Sequence, residues 1–217
     1  MFINDEITNH NDFFLFTQIA VAETYSGCSD PQYIAYVEKR HSLYEKLGKE
    51  GYQKAMDGIN ENEIYSYQNI VLSARFDTRE IAKNNIIAYE KDQLSIIQKL
   101  KNSFVGNSDS RHNINIAKGW FALRSGNENE AISYLFASTK VKGSPVLRSF
   151  GPDKTLIREL YKRGKKEAVL KYLEISESFW NTESAKNYIM IWRKMIKNNR
   201  SIQFQFYDTT SVEELGL

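Results

Sequence analysis

The stretch KGWFALRSGNENEAISYLFAS, residues 118–138, contains two apolar segments with helical spacing on either side of a short polar turn. Gly126 begins the turn, and the polar run Asn-Glu-Asn-Glu that follows is typical of a loop between two helices. Two small residues, Gly119 and Ala131, lie where the two helices would approach each other. The stretch therefore predicts a helical hairpin with closely packed helices.

The same arrangement returns further along the chain, at a distance of 38 residues (164 minus 126). Gly164 is followed by Lys-Lys-Glu-Ala-Val, and Leu173 takes the place that Leu135 has in the first hairpin. A single hairpin of this kind has more apolar surface than it can bury alone, so neighbouring hairpins must stack. The repeat predicts a stack of helical hairpins.

The two units, roughly residues 112–141 and 153–180, resemble the tetratricopeptide repeat, whose period is about 34 residues. The residues that carry the resemblance are Gly119, Gly126, Ala131 and Leu135 in the first unit, and Leu156, Leu160, Gly164 and Leu173 in the second. The linker VKGSPVLRSFGPDKT lengthens the spacing here. This part of the chain is also similar to uncharacterised bacterial proteins. The resemblance implies an α-solenoid in which the first helix of each hairpin lines a concave groove.

The remaining segments complete an all-α prediction of stacked antiparallel helical hairpins, with a C-terminal capping helix and a short extended tail. An apolar stripe at helical spacing predicts the capping helix over residues 182–198; its members are Ala185, Tyr188, Ile189, Trp192, Met195 and Ile196. We expect one continuous domain made of an N-terminal helical part (1–105), the hairpins with their capping helix (106–200) and the tail (201–217). The tail alternates apolar and polar residues and is the only strand-like segment, but a single strand has no sheet partner here. We expect it to pack as an extended arm, and pairing with the edge of another chain is the alternative.

Two local signals place helices in the N-terminal part. Asp30-Pro31 is a strong helix start, and we expect that helix to end at Gly48, with a short second helix through Met56. Asp77-Thr78-Arg79-Glu80 has the spacing of a capping box. It predicts a long helix that begins after Asp77 and buries Ile81.

Composition limits the class of protein. With 217 residues, of which 41% are hydrophobic, the chain can build a substantial core. The single cysteine, Cys28, forms no internal disulfide and suits a reducing compartment. The start MFINDEI lacks the basic residues of a signal peptide, and the apolar run at 13–22 is far shorter than the ~20 residues of a membrane helix. We expect a cytoplasmic protein without a membrane partner.

The net charge of +2 conceals an uneven distribution. Residues 1–139 contain 14 Lys and Arg against 18 Asp and Glu, whereas residues 140–200 contain 15 against 6. The tail has three acidic residues and no basic residue. A basic C-terminal third favours an acidic partner surface or phosphates, and the alternative is an ordinary solvated helix surface.

Residues with catalytic potential are few. The three histidines, His10, His41 and His112, are far apart and lack the spacing of metal ligands. No glycine-rich phosphate loop is present. Asp109 and Arg111 beside His112 form the one polar cluster that an enzyme could use. We therefore predict a protein that is not an enzyme and needs no cofactor.

The resemblance to tetratricopeptide repeats places a binding groove on the first helices of the hairpins. Its groove-facing residues would be Trp120 and Arg124 in the first unit and Lys154, Arg158, Tyr161 and Lys162 in the second. Because Lys154, Arg158 and Lys162 are four residues apart, they would form one positive stripe on a helix. Such a stripe could bind an acidic peptide or a terminal carboxylate.

Three functions are compatible with these patterns. The leading one is a non-catalytic protein–protein interaction module that binds an acidic partner segment in the basic groove, with an affinity that falls as salt rises. A second is a bacterial immunity or inhibitor protein that neutralises a cognate toxin by direct binding. A third is nucleic-acid binding through the cations at the second hairpin turn, which are Lys162, Arg163, Lys165 and Lys166. The oligomeric state stays open.

Overall fold

The computed structural model describes residues 31–58, 67–99 and 107–204, which form nine α-helices and contain no β-strand. None of these helices is both long and apolar enough to cross a bilayer. The all-α prediction is confirmed for the described part of the chain. The helices are α1 (Pro31–Gly58), α2 (Tyr67–Phe76), α3 (Arg79–Lys99), α4 (Asn107–Arg124), α5 (Glu128–Ser138), α6 (Pro145–Phe150), α7 (Thr155–Lys162), α8 (Lys166–Ser176) and α9 (Glu183–Lys197).

Three pairs of consecutive helices pack as hairpins: α2 with α3, α4 with α5, and α7 with α8. The first helices of neighbouring hairpins contact each other, α2 with α4 and α4 with α7, while α5 contacts α8 and α9 packs on α8. A single hydrophobic core extends from Ile70 on α2 to Phe204 after α9. The expected boundary near residue 105 lies outside the described residues, and the described helices on both sides of it share this core.

Gly119 is the point at which α4 approaches two neighbouring helices. A Cβ atom at this position would lie 2.4 Å from Leu156 Cδ2 on α7 and 3.4 Å from the Ala131 carbonyl oxygen on α5. Leu156 is fully buried, so its side chain has little room to move away. The absence of a side chain at Gly119 therefore allows both the hairpin and the stack to close.

The two hairpin turns have the same backbone geometry, and α9 ends in the same way. Gly126 and Gly164 have φ angles of 82° and 76°, in the left-handed region that favours glycine. In each turn the next N–H donates to the carbonyl five residues back at 3.0 Å, which is the Schellman arrangement. Asn199 has a φ of 57° with the equivalent bond at 2.9 Å. Helix α9 thus terminates in the same way as α4 and α7, the first helices of two hairpins.

The capping helix forms where the apolar stripe predicts it, and five of the six stripe residues are buried while Tyr188 is half-buried. Trp192 is fully buried, with ring centroids 5.4 Å from those of both Tyr188 and Phe204. After α9 the chain turns back without helix or strand, and Ile202 and Phe204 enter the core. The rest of the predicted arm, 205–217, lies outside the described residues.

The predicted break at Gly48 was wrong, because α1 continues through it to Gly58. A Cβ atom at Gly48 or Gly51 would meet no neighbour, so packing does not select these glycines. A glycine inside a helix costs only about 1 kcal/mol relative to alanine. That cost is too small to end a helix that makes favourable contacts on both sides of it.

The start of α3 is displaced by one residue from the predicted capping box. Thr78 Oγ1, and not the Asp77 carboxylate, accepts the N–H of Ile81 at 3.3 Å. The Asp77 carboxylate instead accepts hydrogen bonds from Tyr52 at 2.8 Å and Ser73 at 2.7 Å. The prediction that Ile81 is buried was also wrong, since this side chain is 48% exposed.

Candidate functional site

Helix α1 contacts α2 and α7, the first helices of two of the hairpins. Near its C-terminal end, Tyr52 binds Asp77 just after α2. In its middle, Glu45 contacts both α2 and α7. Near its N-terminal end, four residues line a groove together with the segment 199–203 that follows α9; they are Ile34, Glu38, His41 and Ser42. We call the side of α2 and α7 that faces α1 the inner face.

The centre of the inner face is a carboxylate held by two arginines. Arg158 Nη2 on α7 is 2.6 Å from one oxygen of Glu45, and Arg75 Nη2 on α2 binds the other oxygen. Only 9% and 5% of the Arg75 and Arg158 side chains are exposed, against 31% of Glu45. We call Glu45, Arg75 and Arg158 the carboxylate clamp. Two different hairpins supply its guanidinium groups, so the clamp exists only when they are stacked.

The protonation of the clamp follows from this geometry. Burial raises the pKa of Glu45, but Arg75 and Arg158 lower it by more, so the net pKa lies below its ordinary value. Burial also lowers the pKa of His41, one turn earlier on α1, to about 4, and the nearby Arg158 and Lys162 add to this effect. At neutral pH α1 therefore presents an ionised Glu45 and a neutral His41.

Aromatic side chains support Arg75. Its guanidinium carbon is 4.6 Å from the ring centroid of Phe76 and 5.5 Å from that of Trp120 on α4. These distances are within the range of cation–π attraction. Trp120 is held in turn by a 2.9 Å hydrogen bond from its Nε1 to Thr155 Oγ1. The predicted binding residue Trp120 thus lies beside the clamp and positions one of its arginines.

A groove of about 800 Å³ separates the N-terminal half of α1 from α7 and the segment 199–203. We call it the α1–α7 groove; it is lined by Ile34, Glu38, His41, Ser42, Tyr161, Lys162, Gly164, Lys166 and residues 199–203. Two predicted binding residues lie here. Lys162 is exposed, and the Tyr161 hydroxyl donates to the carbonyl oxygen of Arg200 at 2.6 Å. Tyr161 therefore fixes the backbone of the opposite wall.

The predicted positive stripe of Lys154, Arg158 and Lys162 does not form on the surface, because two of its members are buried. Helix α7 begins only at Thr155, so Lys154 belongs to the linker and turns inward. Its Nζ donates to the Pro152 carbonyl oxygen at 3.1 Å and lies 5.1 Å from the Trp180 ring centroid. Burial lowers the pKa of Lys154 to about 8. Of the three, Lys162 alone is exposed.

Arg124, the remaining predicted binding residue, lies apart from the clamp and the groove. Its two terminal nitrogens donate to the carbonyl oxygens of Ala74 and Asp77, both at 2.6 Å. These carbonyls are at the C-terminal end of α2, where a cation is favourable. Arg124 therefore connects α4 to the C-terminal end of α2.

The cations at the turn between α7 and α8, which the sequence repeat made the second hairpin turn, are largely paired with other side chains. Arg163 and Lys165 contact the carboxylate of Glu128 at 3.6 and 2.6 Å, and Arg163 also binds Glu159 at 3.0 Å. Lys166 binds the side chain of Asn199. The turn therefore offers phosphates less free positive charge than the sequence indicates.

The polar cluster around His112 holds the linker against α4. His112 is fully buried, with Nδ1 3.1 Å from the Ser138 carbonyl oxygen and Nε2 accepting the Asp153 N–H at 3.1 Å. Asp109 accepts a hydrogen bond from Ser144, which caps α6. Both side chains therefore bind the ends of the linker. Among the described residues, no group of three His, Cys, Asp or Glu side chains could hold a metal ion.

Sequence reasoning missed the residues that complete the site, which are His41, Glu45, Arg75, Arg200 and Gln203. Their partners lie far away in the chain; 113 positions separate Glu45 from Arg158. No local spacing indicates such a pairing. The one available signal was the repeat itself, which places the first helices side by side and leaves their common face for α1.

No protein-family model, curated protein or solved structure matches the chain. A functional assignment must therefore come from the site.

Proposed function

We propose that the protein is a non-catalytic protein-interaction module, a tetratricopeptide-like stack of hairpins whose basic inner face binds an acidic helical segment of a partner. The carboxylate clamp is the observation that supports this proposal. Two arginines from different hairpins already hold an acidic side chain presented by a helix. A partner helix with a carboxylate at the same place would make the same two contacts.

The charge balance of the clamp favours an acidic ligand. One carboxylate, Glu45, stands against two guanidinium groups, so the clamp retains net positive charge. Hydrogen bonds between ionised groups are roughly twice as strong as neutral ones, and both arginines are largely shielded from water. An acidic partner therefore gains from the clamp itself and from the positive field around it.

Nucleic-acid binding is the weaker alternative because of the paired turn cations. Phosphates at the second hairpin turn would compete with Glu128 and Glu159 for Arg163 and Lys165. Inhibition of a toxin by direct binding is one biological use of the proposed module. In that case the toxin supplies the acidic segment.

The test is the affinity for a defined probe, a fluorescein-labelled amphipathic helical peptide of ~15 residues with glutamates on its polar face. Fluorescence anisotropy should show binding that weakens as salt rises and is lost when the glutamates are replaced by glutamine. Arg75→Gln should reduce the affinity about tenfold or more. The matched control is Arg193→Gln. It removes an arginine of α9 that pairs with Glu177 and lies away from the inner face.

Equal affinities of the wild type and a folded Arg75→Gln variant would refute the clamp as the binding site. Thermal unfolding of both variants shows whether they remain folded.

A further inference from the structure

Buried polar atoms without a hydrogen-bond partner occur mainly in residues that line the α1–α7 groove. Four such side-chain atoms occur among the described residues, and three belong to residues that line this groove: His41 Nδ1, Arg200 Nε and Gln203 Oε1. His41 is 6% exposed and Gln203 is 2% exposed. Buried polar groups in folded proteins nearly always have a partner. Three exceptions in one groove indicate a ligand that supplies the missing partners.

The groove also has an excess of positive charge. Lys162, Lys166 and Arg200 line it, and Glu38 is the only acidic residue among the described residues of its lining. The pKa of His41 is lowered to about 4 by burial and by Arg158 and Lys162, so its ring is neutral at neutral pH. The ligand must therefore bring negative charge to the end of the groove near Arg200 and Lys162.

The unpartnered atoms also restrict the kind of anion. Arg200 Nε carries an N–H and requires an acceptor, whereas Gln203 Oε1 is an acceptor and requires a donor. A phosphodiester group supplies acceptors only and would leave the glutamine oxygen unpaired. A peptide with an acidic residue supplies a carboxylate for Arg200 and a backbone N–H for Gln203.

We propose that the α1–α7 groove binds an extended acidic peptide segment, with a carboxylate at Arg200 and Lys162 and a backbone N–H at Gln203. This site extends the proposed interaction function beyond the clamp and has its own residues. Tyr161 acts as a positioning residue, because its hydroxyl holds the carbonyl oxygen of Arg200. The clamp selects an acidic residue on a helix, and the groove selects the extended segment that adjoins it.

The probe is a fluorescein-labelled peptide, Gly-Ser-Asp-Glu-Ser-Asp-Gly, too short to form a helix. Its affinity for the full chain should fall about tenfold in Lys162→Gln/Arg200→Gln. The matched control, Lys194→Gln/Lys197→Gln, removes two exposed lysines from α9, and its affinity should stay within about twofold of the wild type. Gln203→Met, which keeps the size of the side chain and removes the acceptor, should also weaken peptide binding.

The outcomes separate this proposal from the clamp. Arg75→Gln breaks the clamp and should leave the affinity for the short peptide within about twofold. If Lys162→Gln/Arg200→Gln binds the short peptide as tightly as the wild type, the groove proposal is overturned, whatever the clamp does with the helical probe. Tighter binding of a labelled oligothymidylate than of the peptide, lost in the same double variant, would overturn it in favour of a phosphate site. Each variant must have a melting temperature close to that of the wild type. If the double variant unfolds, Lys162→Gln alone, a substitution at an exposed position, replaces it in the binding test.

Discussion

Glu45 on α1 and Arg158 on α7 form an ion pair of 2.6 Å across 113 positions of the chain. The same carboxylate binds Arg75 on α2, so one acidic side chain connects the N-terminal helix to two hairpins. Both arginines are largely buried, and the loss of Glu45 would leave them without this counter-charge. The inner face is therefore organised around a carboxylate, and this is the basis for expecting an acidic partner.

The contact at Gly119 can be tested by a double-mutant cycle with Leu156. Gly119→Ala places a Cβ atom 2.4 Å from Leu156 Cδ2, and we expect it to destabilise the protein by roughly 1–3 kcal/mol despite the better helix propensity of alanine. In a Leu156→Ala background the same substitution should cost much less, because the clashing atom is gone. Urea denaturation gives the four free energies of unfolding. Additive effects of the two substitutions would show that α4 and α7 do not meet at this point.

Helix α9 should contribute strongly to stability through Trp192. Trp192→Ala removes a fully buried ring between Tyr188 and Phe204, and we expect a loss of about 3–5 kcal/mol. For a chain of this size that loss corresponds to a fall of ~10 °C in melting temperature. Met190→Ala, at a position on the same helix that is 46% exposed, is the control and should change little. A Trp192→Ala protein that melts at the wild-type temperature would contradict the packing of α9.

Stability should fall in mild acid because of His112. Burial lowers the pKa of His112, although its hydrogen bond to the Ser138 carbonyl and the nearby Asp153 and Asp109 act in the opposite direction. The unfolded chain, with a histidine pKa of ~6.5, then binds more protons than the folded one as the pH falls below that value. The free energy of unfolding should decrease from pH 6.5 downwards, by at most ~1.4 kcal/mol per pH unit for each proton taken up.

The control for this pH dependence is His112→Asn, whose amide has no titratable proton. His41 has a lowered pKa too and contributes with the same sign, so the variant should show a shallower slope and not a flat one. Chemical denaturation between pH 5 and pH 7.5 measures the two slopes. Identical slopes would show that His112 is not buried in its neutral form.

The features that could be predicted from the sequence were local or periodic. The turn residues Gly126 and Gly164 have a positive φ, and glycine is the residue type that most readily adopts it. Such a turn can therefore be predicted from one residue. The stripe on α9 depends only on helical spacing, and its buried side is the one predicted. The similar turn at the end of α9 was not predicted because its left-handed residue is Asn199, and asparagine adopts this conformation less often than glycine.

The features that could not be predicted depend on distant partners. Tyr52, which is 25 positions away in the chain, donates a hydrogen bond to the Asp77 carboxylate. Thr78 caps the N-terminus of α3 instead. The sequence pattern predicts Lys154 as a cation on a helix surface. In the structure the linker places its ammonium group over the ring of Trp180. The clamp combines α1, α2 and α7, and only the packed structure brings them together. Helical spacing describes one element at a time and contains no information on such contacts.

The most direct test of the proposed function is the effect of Glu45→Gln on the affinity for the labelled acidic helical peptide. If Glu45 occupies the site that a partner carboxylate would use, its neutralisation weakens an internal competitor for Arg75 and Arg158. The affinity should then rise by several-fold, up to the reciprocal of the fraction of wild-type molecules in which the site is open. Glu50→Gln, at an exposed position on the same helix, removes the same charge from α1 and is the control. An affinity that rises for Glu45→Gln and not for Glu50→Gln is the predicted result; an unchanged or lower affinity in a folded Glu45→Gln protein would contradict the account.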